Sequence, residues 1–167
     1  MSMFICASCG TQHGDSEQPP GSCAICRADG NLEPGERPAW TTLDQLRGGH
    51  ANLIQRLEPD LFSIRTFPTF PPGQRALLLR TERGNLLWGC VTLIDAATIR
   101  TIDLLGGVNA IAVSDPRHFA TIVEWSQAFG RVPVYVHGSS RRWLMRPDAV
   151  VHHWEGCELR LPHDVTL

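Results

Sequence analysis

The sequence predicts an α/β protein that begins with a small cysteine-rich metal ribbon. The first observation is a pair of CxxC motifs, Cys6–Cys9 and Cys23–Cys26, which are separated by 13 residues. The second is the succession of apolar, strand-like runs and helix-like segments after residue 74, which is typical of a layered α/β fold. The composition, with 43% hydrophobic and 19% charged residues, is that of a globular protein.

Four cysteines, Cys6, Cys9, Cys23 and Cys26, are the predicted metal ligands. The CxxC spacing lets a tight turn aim both sulfurs at one point, and two such turns form a tetrahedral site for Zn²⁺ or a single iron. The connector Thr11–Ser22 is polar and has almost nothing to bury, so a metal must hold it together. Disulfides are the alternative, but they are rare in the cytoplasm. We favour zinc, while a resemblance to the rubredoxin-like domain of rubrerythrins keeps iron open.

The segment after the ribbon is predicted to contain a linker and one helix. Asn31–Pro38 is rich in glycine, proline and charge, which is typical of a linker. Leu43–Leu57 is predicted to be helical, with Thr42 as the N-cap and Gln45 completing a capping box, although two glycines weaken its middle. Leu61–Gly73 is expected to be extended.

The chain from residue 74 onward alternates strand and helix patterns. Two apolar runs, Ala76–Arg80 and Leu86–Ile94, flank a TERGN turn and predict a strand–turn–strand unit. The elements predicted after it are a helix at Ala96–Leu105, a buried strand at Asn109–Val113, a helix from Pro116 to Phe129, a strand at Val132–His137, a short helix at Ser139–Met145 and a hairpin of Val150–Trp154 with Glu158–Leu161. Ligand sites in such sheets lie at the carboxyl ends of strands, so we expect a site in the loop that starts at Ser114.

The motifs from about Pro68 to Leu167 resemble the metallo-β-lactamase fold family, in particular members with an N-terminal CxxC…CxxC ribbon. The likeness rests on GQRALLLRTERGNLLWGCVTLID, LLGGVNAIAVS, VEWSQAFGRVPVYVH and HWEG, and on FICASCGTQ and WTTLDQL before them. The resemblance implies the first half of an αββα sandwich, with the family's later ligands lying beyond LPHDVTL. We divide the chain into a ribbon at 1–35, a linker and helix at 36–67 and a partial domain at 68–167.

The resemblance also implies a metal-dependent hydrolase. The family's HxHxDH metal motif, however, is missing at the aligned positions. These positions hold Asp115, Arg117, Phe119 and Ala120, and a guanidinium has no lone pair for a cation. Gly89 replaces the family's acidic residue in the LLWG strand. We therefore predict no catalytic residue, and we interpret the chain as a catalytically impaired relative with a structural Zn(Cys)4 ribbon.

Two alternative functions stay open. One is an active metal-dependent hydrolase with rearranged ligands such as Asp115, His118 and His137. The other is a ribbon-based interaction module, although a formal charge of −2 and few basic residues near the cysteines argue against nucleic acid. The neighbours His152 and His153 are not expected to share a metal, because adjacent side chains on a strand point to opposite faces.

The remaining expectations concern the core, the compartment and the partners. Cys90, Cys157, Trp125 and Trp154 are expected to pack in the core. All 15 basic residues are arginine, which excludes a Schiff-base or P-loop lysine. The absence of an export signal and of a long apolar run predicts a cytoplasmic protein without a membrane span. Half a sandwich would expose an apolar sheet face, so we expect a homo-oligomer or pairing with a missing C-terminal half.

Overall fold

The computed structural model describes residues 1–30, 33, 35–71, 73–161 and 165–167. The predicted linker at 31, 32 and 34, the extended stretch at 72 and the LPHDVTL run at 162–164 lie outside the described residues. The strands are β1 (Ser2–Cys6), β2 (Gln12–Ser16), β3 (Trp40–Thr41), β4 (Ala51–Glu58), β5 (Leu61–Phe67), β6 (Ala76–Leu79), β7 (Leu86–Trp88), β8 (Ala110–Val113), β9 (Val134–His137) and β10 (Val151–Trp154). The α-helices are α1 (Ala24–Ala28), α2 (Leu43–Arg47), α3 (Ala96–Leu104) and α4 (Ile122–Ala128), and 3₁₀ helices occupy Pro116–His118 and Gly138–Trp143.

Seven strands form one mixed sheet in the order β10-β9-β8-β7-β6-β5-β4. The strands β4 to β7 pair antiparallel, whereas β7 to β10 pair parallel. Parallel neighbours need crossover connections, which α3 and α4 supply. A second, three-stranded sheet in the order β2-β1-β3 joins two strands of the ribbon with β3 from the segment that follows it. The architecture confirms the predicted α/β fold class.

The main core lies on the sheet face that α3 and α4 cover. Successive side chains of a strand point to opposite faces, so alternate residues such as Ile64, Leu78 and Leu87 reach this core and are fully buried. Trp125 of α4 is also fully buried, and its indole Nε1 donates to the carbonyl of Val91 at 2.8 Å. This satisfies the only polar atom of the ring and confirms the prediction that Trp125 packs in the core.

The opposite sheet face is covered only in its middle. There, Leu86, Ala110 and Ala112 pack under Leu161, together with Leu159, Val165 and Leu167 from the end of the chain. No second sheet lies on this face within the described residues. Three large apolar side chains at one end of the face stay exposed, namely Leu53, Phe67 and Trp88.

The predicted helix Leu43–Leu57 is wrong in its second half. The capping box is confirmed, because the Gln45 N–H donates to Thr42 Oγ1 at 3.3 Å and the Thr42 N–H donates to Gln45 Oε1 at 3.1 Å. The helix ends at Arg47 with Gly48 as its C-cap, and the chain then forms β4. Two successive glycines weaken a helix, and pairing along β5 stabilises the extended form of the residues that follow.

Three further predictions need correction. The expected helix from Pro116 to Phe129 is broken, because Ala120 adopts a positive φ of 46° between the 3₁₀ turn and α4. The expected strand Leu86–Ile94 ends at Trp88, where Gly89 turns the chain with a φ of 71°. The expected hairpin of Val150–Trp154 with Glu158–Leu161 is absent from the described residues, since β10 pairs parallel with β9. Segment 159–161 instead hydrogen-bonds to segment 165–167.

The predicted core cysteines differ in their environments. Cys90 is fully buried, and burial raises the pKa of its thiol. Cys157 is exposed, so its assignment to the core was wrong. Trp154 is only partly buried and lies edge-on to His137 with ring centroids 4.7 Å apart. Among the helices in the described part of the chain, none has the length and apolar character needed to cross a membrane.

Candidate metal centre and adjacent groove

The four cysteines sit on the turn after β1 and at the start of α1. Cys6 ends β1, and the turn that follows is closed by the Gly10 N–H, which donates to the Cys6 carbonyl at 2.8 Å. Cys23 is the N-cap of α1, and Cys26 lies within that helix. The CxxC spacing thus produces one knuckle from a tight turn and one from a helix start, and a hydrogen bond from residue i+4 to residue i closes each of them.

The structure brings the four predicted ligands together. Their sulfur atoms are buried and lie within 4.8 Å of one another. The Sγ atoms of Cys6 and Cys26 are 3.5 Å apart, and those of Cys9 and Cys23 are 3.6 Å apart. A tetrahedral ion with metal–sulfur bonds of about 2.3 Å requires sulfur–sulfur separations of about 3.8 Å. The four cysteines are therefore positioned to bind one metal ion.

The thiol electrostatics also fit a cation. Hydrogen bonds with Cys23 and Cys9 lower the pKa of Cys6 to about 2, because they favour its thiolate. The hydrogen bond with Cys6 raises the pKa of Cys23, and burial raises the pKa of Cys26. Without a cation, the buried cluster therefore favours the thiolate form at Cys6 alone, and a bound metal ion would supply the positive charge that lets the other three thiols ionise. Zinc and a single iron both accept this donor set.

The side chain of Gln74 joins the first knuckle to the large sheet. Its Nε2 donates to the carbonyls of Cys9 and Arg117, each at 3.1 Å. Its Oε1 accepts from the Thr92 N–H at 2.9 Å and lies 2.8 Å from the Thr92 hydroxyl, which is also 3.1 Å from the Gly10 carbonyl. Three distant chain segments thus meet at one amide group.

The loop after β8 holds the four residues that the sequence resemblance aligned with a metal motif. Asp115 accepts from the Arg117 backbone N–H at 2.9 Å, from Arg117 Nε at 3.0 Å and from Arg117 Nη2 at 3.0 Å. These hydrogen bonds lower the pKa of the Asp115 carboxyl. Phe119 and Ala120 are buried in the main core. These four residues do not fit a metal ion, since the only carboxylate among them is already neutralised by a guanidinium.

The histidines in the described part of the chain are not gathered into a second metal site. His137 uses both ring nitrogens, because Nδ1 lies 2.7 Å from the Ser139 hydroxyl and Nε2 lies 3.2 Å from the Gly156 carbonyl. His152 and His153 are adjacent on β10, as predicted, and so point to opposite faces. Across residues 1–30, 33, 35–71, 73–161 and 165–167, the cysteine quartet is the group of three or more metal-capable side chains that the fold assembles.

A groove of about 700 Å³ opens at the carboxyl ends of β7 and β8. This is the edge that the sequence predicted through the Ser114 loop, and Ser114 and His118 do line it. Its other walls come from elements that the sequence did not connect with a site, and include Leu53, Arg65, Phe67, Arg75 and Trp88. The pairing of β4 with β5 and of β5 with β6 brings these residues together. The sequence analysis missed this pairing because it predicted a helix at Leu43–Leu57, where β4 lies.

Comparison with curated proteins finds a relative by sequence. No family model matches the sequence. The uncharacterized protein YmaE of Bacillus subtilis (strain 168) is 39% identical over 163 residues, which are 96% of this chain and 59% of that protein. The chain thus spans less than two thirds of this curated relative.

Solved structures of metallo-β-lactamases share the architecture. The DIM-1 metallo-β-lactamase superposes with a TM-score of 0.53 and 12% identity over 66% of this chain and 54% of that one. The metallo-β-lactamase from Pontibacter korlensis gives a TM-score of 0.50 and 14% identity over 68% and 57%. At this identity the likeness concerns the fold alone, and it covers little more than half of each of those chains.

Proposed function

We propose that this chain, which has a metallo-β-lactamase-like fold, is a catalytically impaired relative of the metal-dependent hydrolases and acts by binding. The observation that carries the proposal is the loop after β8. Asp115 there is held by Arg117, and the next two positions of the family's motif are the buried Phe119 and Ala120. A hydrolytic metal needs several ligands and an open position for water or substrate, and this loop supports neither.

The proposal assigns a structural role to the ribbon. Cys6, Cys9, Cys23 and Cys26 would hold one Zn²⁺, and four thiolates leave no open coordination position for a reacting water. The support is the burial of the four cysteines and the proximity of their sulfur atoms, which all lie within 4.8 Å of one another. We place the protein in the cytoplasm, where reducing conditions keep these cysteines available as ligands.

Metal counting on purified protein tests both halves of the proposal. We expect about one zinc per wild-type chain by elemental analysis and no bound zinc in Cys9→Ser. Cys157→Ser is the matched control, because Cys157 is exposed and lies outside the quartet, and it should retain the ion. A wild-type chain without metal would contradict the proposal that the four cysteines hold a structural ion.

A hydrolysis assay on the same samples tests impairment. We expect no turnover of a chromogenic β-lactam by the wild-type chain with zinc in excess. Two or three ions per chain, some of them retained in Cys9→Ser, together with turnover would contradict impairment. That result would favour the alternative of an active hydrolase that uses Asp115, His118 and His137. If Cys9→Ser does not fold, Co²⁺ substitution of the wild-type chain reports the ligands, since four-thiolate cobalt has strong sulfur-to-metal charge-transfer absorption.

A further inference from the structure

We propose that the groove at the carboxyl ends of β7 and β8 binds a small oxyanion, a carboxylate or a phosphate monoester, that carries a flat apolar group. This inference deepens the proposed binding function and rests on it, because it requires that no metal occupy this edge. The groove, at about 700 Å³, has the size of a small-molecule site.

Two arginines supply the anion-binding charge. The register of β5 and β6 pairs Ile64 with Ala76, so the next residues outward, Arg65 and Arg75, lie opposite each other. Both side chains line the groove. Like charges directly across a pair of strands repel each other. An anion between them would relieve that repulsion, and a guanidinium fork matches the geometry of a carboxylate or phosphate.

Neither arginine has a carboxylate partner in the part of the chain that the structure describes. Other arginines do have such partners, among them Arg47, Arg80, Arg117, Arg131, Arg146 and Arg160. The described lining of the groove contains no acidic side chain. The nearby Asp115 does not compete for Arg65 or Arg75, because Arg117 already engages both of its oxygens.

Exposed apolar side chains line the same groove. Leu53 and Phe67 are 61% and 71% exposed, and Trp88 is 39% exposed. Leu53 pairs with Arg65 across β4 and β5, and Trp88 follows on the same sheet face, so the apolar and cationic groups share one surface. A cluster of exposed apolar side chains beside unpaired cations favours a ligand that has both a flat apolar part and an anionic end.

Isothermal titration calorimetry with matched naphthyl probes tests the inference. The full chain, loaded with zinc, is titrated with 2-naphthoate, 2-naphthyl phosphate and the neutral 2-naphthalenemethanol. We expect at least one anion to bind about tenfold or more tightly than the alcohol, and the tighter of the two identifies the oxyanion. Equal binding of the alcohol, or no binding of either anion, would overturn the proposal.

Substitution of the two arginines tests whether they bind the anion. The double variant Arg65→Gln/Arg75→Gln should lose about tenfold or more in affinity for the anion and little for the alcohol. Arg100→Gln is the control, since Arg100 lies exposed on α3 and outside the groove, and it should bind as the wild type does. Unchanged anion binding in the double variant would overturn the proposal, provided that its thermal unfolding matches the wild type.

Metal counts on the titrated samples separate this inference from the proposed function. One zinc per chain with no anion binding would overturn only the inference that the groove binds an anion. The proposal of an impaired protein with a structural zinc ribbon would be unaffected. A second ion, retained in Cys9→Ser and accompanied by hydrolysis, would overturn the proposed function and with it the metal-free groove.

Discussion

The pair Asp115–Arg117 shows how a neighbouring arginine determines the chemistry of an aspartate. An aspartate after a strand is a common metal ligand, yet here it accepts three hydrogen bonds from one arginine. Those bonds stabilise the carboxylate and lower its pKa below the ordinary value of 3.8. The loop therefore presents a neutral ion pair where a cation would need negative charge.

Removal of the guanidinium should restore the ordinary titration of this carboxyl. In Arg117→Ala we expect the pKa of Asp115 to rise toward 3.8, measured by carboxyl carbon NMR over a pH series. Since the folded pKa is lowered, the ion pair stabilises the fold above pH about 4 and loses this effect as the pH falls. The Arg117 side chain is 63% exposed, so solvent screens the pair and its removal should change the free energy of unfolding at pH 7 only slightly.

Arg131→Ala is the matched control for this titration. Arg131 pairs with Asp148 rather than with Asp115, so its removal should leave the Asp115 titration unchanged. An Asp115 pKa that stays low in Arg117→Ala would contradict the assignment of its cause.

Residues differ in how far their role could be predicted from the sequence. The cysteine quartet was predictable, because CxxC spacing is a local property of two turns. The arginines Arg65 and Arg75 were not, because they meet only through the pairing of β5 with β6. Trp88 was assigned to a longer strand, and the turn at Gly89 instead leaves its side chain exposed in the groove.

At the scale of the elements, the turn after β1 has no room for a side chain at Gly10. Gly10 has a φ of 75°, and a Cβ built on it would lie 2.1 Å from Thr92 Oγ1 and 2.8 Å from Pro71. Backbone strain and overpacking add, so Gly10→Ala should lower the free energy of unfolding by about 2–4 kcal/mol, measured by urea denaturation. The loss should appear in the ribbon and in the sheet that it contacts.

Gly21→Ala is the matched control in the same ribbon. A Cβ at Gly21 would meet no atom within 4 Å, so this variant should unfold within about 0.5 kcal/mol of the wild type. Equal losses in the two variants would contradict the view that Gly10 is constrained by its contact with Thr92.

The element that the sequence missed is β4. Its apolar residues fit a helical spacing after α2 as well as a strand, and only pairing with β5 decides between the two. Such pairing is not local, so it could not be read from this segment alone. The buried strand β8 was predicted correctly, because four apolar residues in a row are typical of a parallel strand covered on both faces.

At the scale of the whole molecule, the ribbon and the large sheet fold as neighbours with shared contacts. Ile5 of β1 is fully buried in the main core. The Gln12 N–H donates to the Ala120 carbonyl at 2.9 Å, and the Gly14 N–H donates to the Met145 carbonyl at 3.1 Å. The division at residues 35 and 67 stays a prediction, although β4 and β5 of the middle segment pair with the sheet of the last one.

These contacts predict that metal removal destabilises the entire chain. We expect a strong chelator to lower the midpoint of a single thermal transition. Loss of order in the ribbon would expose Ile5 and would remove the hydrogen bonds that the Ala120 and Met145 carbonyls accept from it. Scanning calorimetry measures this, and Cys157→Ser should show the same shift. A main transition that the chelator leaves in place would instead indicate a ribbon that unfolds alone.

The resemblance predicted a half sandwich with one bare apolar face, and self-association as its result. The chain's own segment 159–161, with Val165 and Leu167, covers the middle of that face. This covering was not predictable, because the expected hairpin placed the same segment beside β10. Association with a second copy or with another half stays a prediction.

The contacts of Gln74 limit how the ribbon could be transferred to another protein. Its amide is the clamp between the first knuckle, the loop at Arg117 and Thr92. A graft of residues 1–30 would leave that clamp behind, and the host would have to offer a substitute donor to the Cys9 carbonyl. The cysteine spacing can be transferred to another protein, but the contacts that support the first knuckle come from the rest of this chain.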